Sequence, residues 1–259
     1  MTNENILRIA MAQSAIDCNC APQDFMSAEN VVTLSRPHED ARKYLELPNA
    51  CDLVSYGNNV VANVGAEWME PVRGFIDRYP AEHCFETPNL HILNDTLQAG
   101  GLRVCFMAEY FLPDISRVKL LPCAYTLQRL SHDSFASLYL PEWGNALCEK
   151  RKELDLLGFG AYDGSRLIGL AGASADCAGM WQIGIDVLPA YRRQGIAAAL
   201  TSRLALEIID YGKVPFYCAA WSNIRSVRNA VKCGFSPAWV ELTAKPFPFI
   251  DALNGIERP

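Results

Sequence analysis

One stretch in the second half of the chain, residues 181–212, constrains the fold most. Residues 181–187 alternate like a β-strand that ends at Pro189, and from Ile196 the apolar residues Leu200, Leu204 and Ile208 recur every four positions. The first pattern predicts a strand and the second predicts a helix with one apolar face. A strand that runs through a proline-marked turn directly into a helix is typical of an α/β domain.

The turn between this strand and this helix also predicts an anion site. The first amide N–H groups of a helix have no partner inside the helix and lie at the positive end of its dipole, so residues 193–197 can hold a pyrophosphate. Gly195 lets the backbone approach a ligand closely, and Ala197 keeps the next turn small. Arg192 and Arg193 add positive charge. The expected ligand is therefore an anionic, phosphorylated cofactor.

Residues 192–197, Arg-Arg-Gln-Gly-Ile-Ala, resemble the acyl-CoA-binding motif Arg/Gln-x-x-Gly-x-Gly/Ala of the GNAT N-acyltransferase superfamily. The flanking residues are similar as well, both before the motif and after it: Ile185, Val187, Pro189, Tyr191, Asn223, Gly234 and Phe235. The resemblance covers about residues 123–247. A dinucleotide-binding fold is the obvious rival, but the chain contains no Gly-x-Gly-x-x-Gly sequence.

The resemblance implies an α/β fold with a GNAT-like central twisted mixed sheet flanked by helices. It implies an N-acetyltransferase with acetyl-CoA (coenzyme A) as donor and a small-molecule or peptide amine as acceptor, reacting by direct transfer in a ternary complex. The strand before the motif binds the pantetheine arm through its backbone, and one N–H there polarises the thioester carbonyl. The implied cofactor-binding residues are Ile185, Asp186, Val187, Arg192, Arg193, Gln194, Gly195, Ile196, Ala197, Asn223 and Ser226.

The sequence departs from the family at the general acid. Many members carry a Tyr where this chain has Ala230, and that Tyr protonates the departing thiolate. Tyr217 is the predicted substitute, with Cys218 and Ser222 as alternatives. Asp186 is the predicted general base, because an amine with a pKa near 10 must lose a proton before it attacks. Other candidates for the base are Glu109, Glu142 and His132.

Ala230 also leaves a second function open. In that alternative, the chain is a catalytically impaired CoA-binding regulatory or scaffold protein, whose acidic first half binds a partner. Turnover of acetyl-CoA with a panel of amines distinguishes the two, since the regulator would bind CoA without turnover.

The length of 259 residues predicts two domains, an N-terminal α/β domain over 1–122 and a GNAT acetyltransferase domain over 123–259, with residues 111–116 as the linker. The first domain is expected to be either a degenerate GNAT-like copy or a cap on the acceptor site. In the second domain, helices are expected at 135–139, 143–154 and 224–232. A hairpin around Asp163-Gly164 and strands at 215–220 and 238–243 complete it.

Charge, cysteines and hydropathy argue against nucleic-acid-binding, metal-binding, secreted and membrane proteins. Residues 1–122 hold 9 Lys/Arg and 16 Asp/Glu, and residues 123–259 hold 14 and 13, so the halves carry −7 and +1. We expect no nucleic-acid partner, because the first half repels phosphates and no basic run offsets it.

The ten scattered cysteines indicate reduced thiols, and no metal site is expected. Without a signal-like start or a long apolar run, the prediction is a cytoplasmic protein that does not enter the membrane. The oligomeric state is left open.

Overall fold

The computed structural model describes residues 1–256 of the chain. It confirms the predicted mixed α/β class. The α-helices are α1 Asn3–Asp17, α2 Met69–Ile76, α3 Thr87–Gln98, α4 Ile196–Asp210, α5 Ile224–Lys232 and α6 Phe247–Leu253. The strands are β1 Val31–Leu34, β2 Cys51–Ser55, β3 Val61–Val64, β4 Leu102–Pro113, β5 Thr126–Ser131, β6 Asp155–Asp163, β7 Arg166–Ser174, β8 Met180–Val187, β9 Val214–Ala220 and β10 Phe235–Pro246.

The described residues form two compact units. The first consists of Met1–Ala10 with Tyr110–Pro237, and the second of Met11–Glu109 with the described residues from Ala238 onward. The residues of β4 and β10 are shared between the two units. The predicted domain boundary between residues 122 and 123 is not tested by these two compact units and stays a prediction.

In the first unit the strand order is β4-β9-β8-β7-β6-β5. From β5 to β8 each strand pairs antiparallel with the next one along the chain, whereas β8 and β9 pair in parallel. The predicted apolar face of α4 is buried against β6, β7 and β8, with Ile196, Leu200, Leu204 and Ile208 each at most 1% exposed. The strand-turn-helix pattern in the sequence thus builds the core on which the site stands.

Local signals in the first unit have the expected effects. The β6–β7 hairpin forms where Asp163-Gly164 predicted it, with the turn one residue later: Asp163 pairs with Arg166, so Gly164 and Ser165 make the turn. Gly164 has φ +59°, a conformation that favours glycine. Helix α5 begins after Asn223, whose side-chain oxygen accepts the N–H of Ser226 at 3.2 Å. The helix is followed by Gly234 at φ +88°.

Two helix predictions and the linker prediction were wrong. Residues 135–139 and 143–154 form no α-helix; short 3-10 turns at His132–Phe135, Pro141–Trp143 and Glu149–Leu154 take their place. The apolar residues of this segment pack on the sheet, and that tertiary contact outweighs helix propensity. In the predicted linker, Phe111 to Pro113 continue β4 and are buried, because the apolar run fits a covered strand.

The second unit has the strand order β1-β3-β2-β10-β4. Strands β1 and β3 pair in parallel, and β2 pairs antiparallel with both β3 and β10. Its core is formed by these strands with α2 and α3. Strand β1 and helix α6 were not predicted from the sequence. Within residues 1–256, every helix falls short of the length and apolar composition that crossing a bilayer requires.

Candidate active site

The candidate site begins where β8 and β9 stop pairing. The two parallel strands pair at three positions, Met180 with Val214, Trp181 with Pro215 and Gln182 with Phe216. Within the described residues the pairing of these strands ends there, while β8 continues to Val187 and β9 to Ala220. The facing backbone edges of 183–187 and 217–220 therefore have hydrogen-bonding groups that a ligand can use.

The N-terminus of α4 follows this parted region directly. Gly195 caps the helix at φ +82°, and Arg193 two residues earlier is also left-handed, at φ +66°. A Cβ placed on Gly195 would meet no heavy atom of residues 1–256 within 4 Å. Open space therefore lies at the helix start, where the first-turn N–H groups have no partner within the helix, and the exposed side chains of Arg192 and Arg193 are close in sequence. This cradle suits a phosphate group.

Side chains from the end of β6 and from just before β5 hold the loop before α4. The hydroxyl of Tyr191 donates to Asp163 Oδ2 at 2.9 Å, and that of Tyr125 donates to Gln194 Oε1 at 2.7 Å. The rings of Tyr125 and Tyr191 meet edge to face, with centroids 5.8 Å apart. Arg192 Nε donates to the carbonyl oxygen of Val187 at 3.0 Å, which connects the loop to the end of β8. Sequence reasoning missed Tyr125, which no motif marks.

The backbone segment of β8 contains three of the predicted cofactor residues. Ile185 and Val187 pack towards α4 together with Ile183, and Ile196 at the start of α4 is buried in the same core. Ala197 is partly buried in the first turn of the helix. The structure therefore brings residues 185–187 and 192–197 together around the parted strands and the cradle.

Helix α5 approaches the site from β9. The Oη of Tyr217 lies 2.8 Å from the Oγ of Ser226, and the Tyr217 side chain is only 2% exposed. Burial raises the pKa of the Tyr217 phenol above its ordinary value, and hydrogen bonds with Ser226 and Asn229 oppose that shift. The phenol is therefore protonated at neutral pH. Asn223 uses its side chain as the helix cap described above.

The Asp186 carboxylate accepts three hydrogen bonds from residues 145–146. Its Oδ2 accepts the backbone N–H groups of Asn145 and Ala146 at 2.8 and 3.0 Å, and its Oδ1 accepts Asn145 Nδ2 at 2.7 Å. Sequence reasoning missed Asn145, since it lies 41 positions before Asp186 and no motif connects the two.

The remaining candidates occupy other surroundings. Ala230 is fully buried in the core of the first unit, so a Tyr at that position would have to displace packed side chains. The sulfur of Cys218 accepts from Gln182 Nε2 at 3.0 Å, and Ser222 is exposed. His132 Nδ1 lies 2.8 Å from the carbonyl oxygen of Asp155. Glu142 is exposed, and Glu109 belongs to the second unit.

Comparison with known families identifies one match. A family model described as GNAT acetyltransferase matches residues 108–238, about half of the chain. That range contains the parted strands, the Gly195 cradle and α5. No curated protein matches the chain significantly.

Solved structures with a related fold are distant in sequence. A GCN5-related N-acetyltransferase from Sphaerobacter thermophilus is 13% identical, with 73% of this chain and 72% of that chain covered and a TM-score of 0.43. A GCN5-related N-acetyltransferase-like protein from Streptococcus suis is 19% identical, with 61% and 69% covered and a TM-score of 0.45. A Salmonella typhimurium protein described with its cofactor acetyl-CoA is 16% identical, with 48% and 94% covered and a TM-score of 0.35. The chain spans about two thirds of the length of the first solved structures it matches.

Proposed function

Because the chain belongs to the GNAT acetyltransferase family, we propose that it is an acetyl-CoA-dependent N-acetyltransferase. It transfers the acetyl group directly to an amine acceptor, a small molecule or a peptide end, in a ternary complex. The single observation that carries this proposal is the end of β8–β9 pairing at Gln182 and Phe216, immediately before the Gly195 cradle. Strand edges with free hydrogen-bonding groups next to a helix N-terminus fit a long ligand with a phosphate end and an amide-rich arm.

The residues around this opening match the two chemically different parts of such a donor. The N–H groups of residues 193–197 and the side chains of Arg192 and Arg193 would hold the phosphates. The backbone of residues 185–187 would pair with the pantetheine amides, while Asn223 and Ser226 line the opening from α5. Bound there, acetyl-CoA supplies an acetyl group activated as a thioester.

Two roles then fall to this chain's own groups at the parted strands. A backbone N–H of residues 185–187 donates to the thioester oxygen as negative charge develops, an effect typically worth about 10²- to 10³-fold in turnover. Tyr217, protonated and beside the opening, is the group that gives a proton to the departing sulfur. A thiol has a pKa near 8.5 and leaves readily, so this assistance accelerates the step without being indispensable.

The amine must also lose a proton, and Asp186 is the base predicted from the sequence. A carboxylate has about four lone-pair directions, and Asp186 directs three of them to N–H donors. Only one direction is left, so this chain's own N–H groups already occupy most of the carboxylate. The pH dependence of turnover in Asp186→Asn therefore tests this role, because a lost base removes the acidic limb of the profile.

Calorimetric titration with acetyl-CoA tests the proposal. Gly195→Val places a branched side chain in the cradle, and we expect it to weaken binding at least about tenfold, or 1.4 kcal/mol. Gly212→Val is the matched control. Gly212 lies just beyond the other end of α4 at φ +73°, also with no heavy atom of the described residues near its Cβ position, so the backbone strain is similar.

The outcomes separate the possibilities. Equal affinity of the two folded variants contradicts the assignment of the cradle, and a wild-type chain that does not bind acetyl-CoA contradicts the proposed function. Release of free thiol with a panel of alkyl amines and peptide N-termini then distinguishes the enzyme from the regulator, which would bind the donor without turnover.

A further inference from the structure

We propose that Asp186 is a positioning residue rather than the general base, and that it fixes the backbone of residues 145–146 across β8 on the acceptor side of the site. The inference depends on the proposed function only in calling this side of the sheet the acceptor side. The anchoring itself rests on contacts within the first unit alone.

The first support is the geometry of the carboxylate. Oδ2 accepts two consecutive backbone N–H groups, those of Asn145 and Ala146, and Oδ1 accepts the Asn145 side chain, all within 3.0 Å. The Ala146 N–H is shared with the carbonyl oxygen of Trp143, also at 3.0 Å. Asp186 is thus the partner that the structure assigns to the Asn145 N–H.

The second support is the close approach of this segment to the sheet. A Cβ on Gly184 would overlap the carbonyl oxygen of Asn145, and one on Gly172 would overlap that of Ala146. Gly184 and Gly172 are directly paired neighbours on β8 and β7. Two adjacent glycines therefore form a shallow floor, on which the backbone of residues 145–146 lies while Asp186, two residues beyond Gly184, holds its N–H groups.

The third support is that short turns are the segment's own local structure. A 3-10 turn at Pro141–Trp143 precedes it, the N–H groups of Ala146 and Leu147 donate to the carbonyl oxygen of Trp143, and no α-helix forms between 135 and 154. The side chains of Trp143, Ala146 and Leu147 are buried with Phe135 and Leu170. Apolar packing is not directional, whereas three hydrogen bonds to one carboxylate specify the position of the backbone.

The side of the sheet links this anchor to the chemistry. Ile183, Ile185 and Tyr217 face the core formed with α4, and the proposed phosphate cradle stands at the start of that helix. Gly184 and Asp186 alternate with Ile183 and Ile185 along β8, so they face the opposite side. With the donor held from the helix side, an acceptor must enter the opening between β8 and β9 from the side that residues 145–146 border.

Hydrogen exchange of the Asn145 amide tests the anchor without any substrate. In Asp186→Ala we expect this amide to exchange about 10- to 100-fold faster, because a charge-assisted hydrogen bond is lost. The amides of α4 should exchange at the wild-type rate and serve as the internal reference. Asp186→Asn can keep all three bonds, since one oxygen still accepts both N–H groups and its amide can donate to a flipped Asn145 side chain. Protection in Asp186→Asn should therefore exceed that in Asp186→Ala by at least about tenfold.

Turnover separates positioning from base catalysis. For amines that the wild type acetylates, kcat/KM in Asp186→Asn should exceed that in Asp186→Ala by at least about tenfold, with the acidic limb of the pH profile retained. If the acidic limb disappears in Asp186→Asn while Asn145 stays protected, Asp186 is the base and the proposal is wrong. Unchanged exchange of the Asn145 amide in Asp186→Ala overturns it as well.

If Asp186→Ala does not fold, a double variant that swaps the Asp and Asn side chains tests the same contact. Asn145→Asp alone places two carboxylates together and should loosen the segment, and adding Asp186→Asn restores a carboxylate–amide pair. Recovery of Asn145-site protection in the double variant supports the anchor, and absence of recovery contradicts it. A wild type that does not bind acetyl-CoA would refute the proposed function and leave this exchange result standing.

Discussion

The hydroxyl oxygens of Tyr217 on β9 and Ser226 on α5 lie 2.8 Å apart. This contact joins β9, one residue beyond its last pairing with β8, to helix α5. Because burial raises the pKa of the phenol, Tyr217 keeps its proton at neutral pH.

Replacing Tyr217 by Phe removes that proton and keeps the ring. We expect kcat for thiol release to fall about 10²-fold or more, the lower range for a general acid, while the Kd for acetyl-CoA changes little. Tyr211→Phe is the matched control, since Tyr211 is exposed and lies roughly 22 Å from the start of α4 at a rise of 1.5 Å per residue. A Tyr217→Phe enzyme with wild-type kcat would show that the sulfur leaves without this proton.

Asp155 in the first unit predicts a dependence of stability on pH. Its carboxyl is 1% exposed, and burial raises its pKa to about 6 against the hydrogen bonds from Cys148 N–H and Tyr139. Since the folded-state pKa is above the unfolded value near 4, the stabilisation is complete below about pH 4 and is lost as the pH rises through about 6.

Urea unfolding between pH 4 and pH 7 measures this contribution. The free energy of unfolding should decrease with rising pH by at most about 3 kcal/mol from this group, and Asp155→Asn should reduce that decrease. Asp210→Asn, an exposed carboxylate at the end of α4, should leave the profile as in the wild type. Parallel profiles for the wild type and Asp155→Asn would contradict the assignment.

A buried ion pair in the second unit predicts a large loss of stability. Arg42 Nη1 lies 2.8 Å from Asp17 Oδ2, both side chains are at most 6% exposed, and the guanidinium lies 5.3 Å from the ring centre of Trp239. Arg42→Met leaves the Asp17 carboxylate buried without its cation, so the free energy of unfolding should fall by about 3–5 kcal/mol.

A double variant identifies the cause of that loss. Arg42→Met with Asp17→Asn removes both charges, and urea unfolding should show part of the stability regained. Lys245→Met is the control at a pair with one solvated partner, because the Glu46 side chain, 3.0 Å from Lys245 Nζ, is 76% exposed. Its effect should be about 1 kcal/mol or less, and an Arg42→Met effect of the same size would contradict the prediction.

Much of the first unit was predictable because its signals are local. Four-residue apolar spacing predicted α4, Asp163-Gly164 predicted the hairpin, and Asn223 with Gly234 bounded α5 to the residue. Gly195 was predicted to allow close approach of a ligand to the backbone, and its left-handed conformation at the helix start is a finding of the structure. Each of these features depends on residues a few positions apart, so one sequence suffices to recognise it.

The rest required tertiary structure, because contacts between distant segments decide it. The expected helix at 143–154 is absent, since burial of Trp143 and Leu147 on the sheet outweighs the local preference. The hydrogen bonds of Asp186 involve Asn145, 41 residues away, and no spacing rule connects the two. Strand alternation indicates which side chains share a face, but what covers that face is settled only when the whole chain packs.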